Sequence, residues 1–151
     1  MKKIMFICTG NICRSAMAHA LMQKIAKEEN LSLEIYSSGL YAETGDSATY
    51  NAIVAMHEYG VDLSTHKATN TRESNIEEMD LILCATTGHK MMLLQMYPDL
   101  AEKIYTMKEY AGDEDKDIKD PWGYDLETYK NCAKEIYTCV KKIIDKEKNM
   151  R

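Results

Sequence analysis

Cys8 and Arg14 stand six positions apart in Cys8-Thr9-Gly10-Asn11-Ile12-Cys13-Arg14-Ser15, directly after the apolar run Ile4-Met5-Phe6-Ile7. A thiol and a guanidinium at this spacing suit attack of sulfur on a phosphoryl group. A loop of that length can curl with its backbone N–H groups inward, where they join the positive end of a following helix in a concave anion site. Gly10 permits close backbone approach and a positive φ, and Asn11 is the non-glycine type that best tolerates a left-handed conformation. The field that holds a phosphate dianion also favours a thiolate nucleophile. Arg14 offers a planar fork to two phosphoryl oxygens, and Ser15 can donate to the sulfur. Taken singly, Cys8 reads as a small hydrophobe ending a strand, and Gly10-Asn11 as an ordinary turn. The coincidence of all these types in one loop argues for the site.

A leaving group must be protonated, which calls for a general acid across the pocket from the thiolate. Asp120 is the candidate. It precedes Pro121, which biases it away from helix and stiffens the loop, and Trp122 and Gly123 follow. Asp113, Glu114, Asp115 and Asp117 lie in the same polar stretch and compete with it on spacing alone.

These groups need a frame. Ile4 to Cys8 is a continuous apolar run, as in a strand buried on both faces. Met17, Leu21 and Ile25 then recur at helical spacing, predicting a helix over 14–29. The alternation repeats: a strand over 33–36, a helix over 47–59 ended by Gly60, a strand over 81–85, a helical face of His89, Met92, Leu93 and Met96 before Pro98, and a strand over 104–106. Leu126, Tyr129, Ala133, Ile136, Val140 and Ile143 mark a long closing helix. This order predicts a single α/β domain over 1–151, doubly wound, with a four-stranded parallel sheet, helices on both faces, and the phosphate loop at the carboxyl end of the first strand. The stretch from Gly112 to Gly123 is the most loop-like.

Composition narrows the function classes. A chain of 151 residues, 45% hydrophobic, suits one core. A net charge of −5 excludes general affinity for nucleic acid or anionic membrane, both of which need clustered Lys and Arg. The apolar run after Met1-Lys2-Lys3 is too short for a signal core or a membrane span, so the chain is expected in the cytoplasm. Five scattered cysteines read as reduced thiols, with Cys84, Cys132 and Cys139 in the core. Neither they nor His19, His57, His66 and His89 fall at metal-site spacings, and no metal or other cofactor is expected.

The loop Cys8 to Ser15, the late Asp120-Pro121, Ser37-Ser38-Gly39 and Asp80-Leu81-Ile82-Leu83 together resemble the low-molecular-weight protein tyrosine phosphatase family over nearly the whole chain. The resemblance implies a metal-independent protein phosphatase in which Cys8 forms a phosphocysteine, Arg14 binds the phosphoryl group, and Asp120 is first acid and then base for water. It places Thr9, Gly10, Asn11, Ile12, Cys13, Ser15 and Trp122 around the phosphate and substrate. The resemblance also implies that Asn11, Ser15, Ser37 and His66 hold the loop's shape by hydrogen bonds. Cys13 matches a second loop cysteine able to form a protective disulfide with the nucleophile, or simply packs under the loop. The implied partners are a phosphorylated protein and inorganic phosphate or a similar oxyanion, met by a monomer. Three departures stand out: Ala16 replaces the usual proline, His19 a common acidic residue, and Trp122-Gly123 the paired aromatics.

Bacterial members of this family divide between phosphotyrosine and phosphoarginine. The latter resemble this chain in Thr9-Gly10-Asn11 and in the glycine after the Asp-Pro aromatic, but carry threonine at the position of Ile12. An isoleucine surface suits a phenyl ring better than a polar guanidinium, which favours phosphotyrosine, with an arginine phosphatase of the same fold as the alternative. A further alternative, a phosphate-reading module without turnover, predicts loss of Cys8 or Asp120. Both are present. An arsenate-reductase relay needs further cysteines near the third strand, where Cys84 has Met91 downstream and no partner cysteine.

Overall fold

In a computed structural model describing residues 1–150, four parallel strands lie in the order β2-β1-β3-β4. They are β1 (Lys2–Cys8), β2 (Leu33–Gly39), β3 (Leu81–Cys84) and β4 (Ile104–Thr106). Because β1 is central, its successive side chains are buried on opposite faces. Ile4 and Phe6 enter one cluster, and Met5 and Ile7 the other. Burial of a side chain such as Phe6, with no exposed surface, is worth roughly 1.5–3 kcal/mol.

The Ile4/Phe6 face is covered by α1 (Arg14–Glu28), α2 (Tyr50–His57) and α5 (Leu126–Asn149) through Met17, Leu21, Met56, Ala133, Ile136 and Val140. The Met5/Ile7 face is covered by α3 (Thr87–Met96) and by short 3-10 segments at Ile76–Glu78 and Pro98–Lys103, through Leu93, Ile76 and Leu100. This is the doubly wound architecture that the alternation of elements predicts. Among the described residues, no helix is long and apolar enough to cross a membrane.

Some boundaries move. The second strand runs on to Gly39 because Ser37, Ser38 and Gly39 pair in register with Phe6, Ile7 and Cys8. The second helix covers only Tyr50–His57: Ser47 is held in a bridge with Lys67, and Gly60 (φ 69) turns the chain past the far end. A short helix, α4 (Met107–Ala111), follows β4 directly behind a reciprocal cap between Thr106 and Glu109.

The chain leaves β1 toward β2 on one side and returns as β3 on the other. The carboxyl ends of β1 and β3 therefore sit side by side at the crevice where such sheets take ligands. The loop after β1 carries Cys8 to Cys13, and the loop after β3 carries Ala85 and Thr86 into α3.

Candidate active site

The curl of the first loop is imposed from outside. Leu40 N–H donates to Cys8 O (3.0 Å), Tyr41 N–H to Thr9 O (2.9 Å), Thr49 N–H to Ile12 O (3.0 Å) and Met17 N–H to Cys13 O (2.9 Å). His66 Nε2 donates to Asn11 O (2.7 Å). In a trans peptide the N–H points opposite the carbonyl, so anchoring these carbonyls outward turns the N–H edges inward, next to the start of α1. That is an anion cradle.

Asn11 makes the sharp turn, with φ 56, and its side chain ties the loop in two directions. Its Nδ2 donates to Ser15 Oγ (2.8 Å), and its Oδ1 accepts Thr69 N–H (2.9 Å). Gly10 is not in the left-handed region, contrary to the expectation of a positive φ there. A Cβ at Gly10 would meet only Ile12 side-chain atoms, the nearest at 3.4 Å, whereas one at Gly39 would lie 2.5 Å from Thr9 O and 2.8 Å from Asn11 N. The glycine required by close approach is thus Gly39, on the neighbouring strand.

Cys8 Sγ lies at the base. It accepts Asn11 N–H (3.3 Å) and meets Ser15 Oγ at 2.9 Å. Ser15 Oγ accepts from Asn11, and its own proton has the sulfur at 2.9 Å as the nearer acceptor, with Ser38 O at 3.5 Å. Arg14 is buried at the rim, 4% exposed. Its Nη1 donates to Ile118 O (2.9 Å) and its Nη2 reaches Thr9 Oγ1 (3.5 Å) and Asp120 Oδ2 (3.6 Å). Arg14 Nε, also buried, has no hydrogen-bond partner among the described residues. A guanidinium fixed at one end and unpartnered at Nε is suited to a ligand oxygen, because an unpaired buried N–H is costly.

Asp120 accepts Trp122 N–H at Oδ1 (3.0 Å), leaving Oδ2 toward Arg14. The strand-end loops hold this segment. Ile118 N–H donates to Ala85 O (2.9 Å), and Asp117 Oδ1 accepts both N–H and hydroxyl of Thr87. Cys8, Thr9, Gly10, Ile12, Cys13, Arg14, Asp120 and Trp122 line one pocket of about 260 Å3. A larger hollow of about 540 Å3, on the other side of Asp120 against α5, shares only Asp120 with it and contains neither thiol nor guanidinium of the loop. Of the four competing acids none lines this pocket, and three are engaged elsewhere: Asp113 with Lys142, Asp115 with Lys108, Asp117 with Thr87.

Around the loop, the position of Ser37 differs from the expectation. Ser37 Oγ does not reach the loop; it bonds His19 Nδ1 (2.8 Å), whose ring stands edge-on to His66 at 6.5 Å. Ser37 supports Asn11 at two removes, and the strand's nearer contact is Ser38 O, 3.5 Å from Ser15 Oγ. Burial and the neighbouring His66 push His19 down to about 4, and burial also lowers His66. Cys13 Sγ packs against Tyr129 Oη (3.3 Å) and Thr49 Oγ1 (3.5 Å), and burial raises its pKa. All five cysteines are free thiols and buried.

Helical periodicity places His89 on a buried face and stops there. The structure adds a contact: His89 Nε2 lies 2.9 Å from Thr9 Oγ1, and Nδ1 3.0 Å from Thr86 Oγ1. The available signal was Thr86-Thr87-Gly88-His89 at a strand-to-helix junction beside the first loop. Burial first, then the charge of Arg14, lowers His89 to about 4.

A family model described as low molecular weight phosphotyrosine protein phosphatase matches residues 3–150. A protein-arginine-phosphatase of Bacillus subtilis (strain 168) is 33% identical over 148 residues, covering 98% of each chain. Among solved structures, a low molecular weight protein tyrosine phosphatase from T. tengcongensis superposes with a TM-score of 0.92 at 37% identity, covering 97% of this chain and 99% of that one. A mutant of the YwlE arginine phosphatase with a phosphorylated active site serine superposes with a TM-score of 0.94 at 32% identity, covering 99% and 97%.

Proposed function

The chain belongs to the low molecular weight phosphotyrosine protein phosphatase family, and from that premise we propose that it is a protein-arginine phosphatase of the cytoplasm. Cys8 attacks phosphorus, the S–P bond forms, and the P–N bond to the substrate guanidine breaks. Asp120 gives its proton to the leaving nitrogen. Arg14 and the inward N–H groups hold the phosphoryl oxygens throughout. Asp120 then takes a proton from water, which attacks the phosphocysteine and releases inorganic phosphate with the Cys8 thiolate restored.

One observation carries the catalytic part. Nucleophile, guanidinium and carboxylate line the same pocket, with Arg14 Nη2 3.6 Å from Asp120 Oδ2. Covalent transfer gains support from the YwlE mutant, which carries a phosphorylated active site serine. The choice of arginine rests on the full-length similarity to protein-arginine-phosphatases of Bacillus subtilis (strain 168) and Geobacillus stearothermophilus. A half-exposed carboxylate that already faces one guanidinium also suits the cation left when phosphoarginine is cleaved.

Phosphotyrosine is the second reading, favoured by Ile12. Its branched side chain lines the pocket together with Trp122 and offers a ring an apolar wall. Parallel assays of phosphoarginine and phosphotyrosine peptides, in reducing buffer without added metal, separate the two. Wild type is expected to favour phosphoarginine, and Ile12→Thr to widen that margin. Preference for phosphotyrosine would reverse the assignment, and undiminished activity in Cys8→Ser would overturn the mechanism.

A further inference from the structure

Thr9 is the residue of the loop whose hydroxyl is held from two sides. Arg14 Nη2 approaches its oxygen at 3.5 Å and can only donate. His89 Nε2 approaches it at 2.9 Å and can donate or accept, depending on where the imidazole proton sits. The other end of the ring settles the direction. Thr86 Oγ1 caps α3 by accepting His89 N–H (3.2 Å) and also lies 3.0 Å from Nδ1.

With the proton on Nδ1, Thr86 Oγ1 would accept twice from the same residue, and its own proton would go unused. With the proton on Nε2, each hydrogen has a place: Thr86 O–H donates to Nδ1, and Nε2–H donates to Thr9. Thr9 Oγ1 then accepts from both His89 and Arg14. A hydroxyl has two lone pairs and one proton, so only the proton remains to be given. Thr9 lines the pocket, and among the described residues its hydroxyl has only His89 and Arg14 within hydrogen-bond distance, so that proton is left for a ligand oxygen.

We propose that His89 is a positioning residue that fixes the hydroxyl of Thr9 as a dedicated donor to a phosphoryl oxygen. The proposal rests on the reading of this pocket as a phosphoryl site. It adds a substrate contact with a defined proton direction, reached from α3 rather than from the loop. It also couples the site's limbs, since the same turn of α3 holds Asp117 through Thr87. The charged groups facing the imidazole are Arg14, Asp117 and Asp120, and the buried ring stays neutral at physiological pH.

Two measurements test this. In 15N-labelled wild type, long-range 1H–15N correlation is expected to show the His89 proton on Nε2; a proton on Nδ1 at neutral pH overturns the proposal whatever the variants do. Binding of inorganic phosphate is then measured by calorimetry. Thr9→Val and His89→Leu are each expected to weaken it about tenfold, as loss of one hydrogen bond to a charged group would. The double variant should be no weaker than either single one. His89→Gln, whose amide can donate from a similar place, should recover most of the loss. Penalties that multiply, or a folded His89→Leu that binds phosphate as wild type does, refute the coupling. Should His89→Leu fail to fold, the tautomer and Thr9→Val decide. Absence of phosphate binding in wild type would instead reject the phosphoryl reading itself.

Discussion

Arg14 and Asp120 face each other across the pocket, with guanidinium Nη2 3.6 Å from carboxylate Oδ2, though 106 positions separate them in the chain. A carboxylate so placed competes with a phosphoryl group for the guanidinium it faces. In the proposed role of general acid it should contribute to turnover and not to phosphate binding. Asp120→Asn is therefore expected to lower kcat by about 100-fold or more, while inorganic phosphate inhibits as tightly as before or more tightly. Steady-state kinetics with p-nitrophenyl phosphate reads both. Loss of phosphate affinity with unchanged kcat would remove Asp120 from the role of acid.

Arg14 is fixed by Ile118 O at Nη1 and keeps a buried, unpartnered Nε. A lysine retains the charge but has no planar fork and cannot occupy both positions. Arg14→Lys should weaken phosphate binding roughly 100-fold with little change in thermal stability, because the ammonium still faces the Asp120 carboxylate. A comparable loss in denaturant midpoint would point instead to a structural role.

How far the site is legible in sequence follows from the range over which its residues act. Strand, loop and helix from Lys2 to Glu28 are adjacent, and their apolar spacing and residue types announce them. The helix Met107–Ala111 could also have been read from Thr106-Met107-Lys108-Glu109, a capping box. Three relationships could not. Gly39 abuts Thr9 only because β2 pairs with β1; His89 reaches Thr9 only because β3 lies on the other side; and Ser37 turns to His19 instead of the loop. Side-chain direction at strand ends depends on the register between distant segments, which local spacing does not contain.

Gly39 makes the most demanding packing contact with the loop. A methyl group there would meet backbone atoms at 2.5, 2.8 and 2.9 Å, and backbone cannot swing aside as a side chain can. Gly39→Ala should shift Thr9 to Asn11, open the anion cradle and destabilise the fold by about 1–3 kcal/mol. Phosphatase activity should fall by far more than the folded fraction does. Gly10→Ala, where the nearest atom is a flexible Ile12 carbon at 3.4 Å, should cost much less in stability. Equal effects from the two changes would reject this steric account.

The histidines behind and beside the loop make the fold sensitive to mild acid. His19 and His89 are held at about 4, against roughly 6.5 in an unfolded chain, chiefly because burial disfavours their charged forms. Between those values the unfolded chain binds more protons than the folded one, so stability rises with pH. The contribution is fully present above about pH 6.5 and is lost as pH falls toward 4. As an upper bound, each ring contributes about 3–4 kcal/mol. The carboxylates with depressed values, Glu109, Asp115 and Asp125 among them, lose their contributions below about pH 4.5, so the interval from pH 6.5 to 4.5 isolates the histidines. Urea unfolding across that interval should show wild type losing stability steeply. His19→Asn and His89→Gln, each without an imidazole to charge, should show a shallower slope. Parallel slopes in all three proteins would place the acid sensitivity elsewhere.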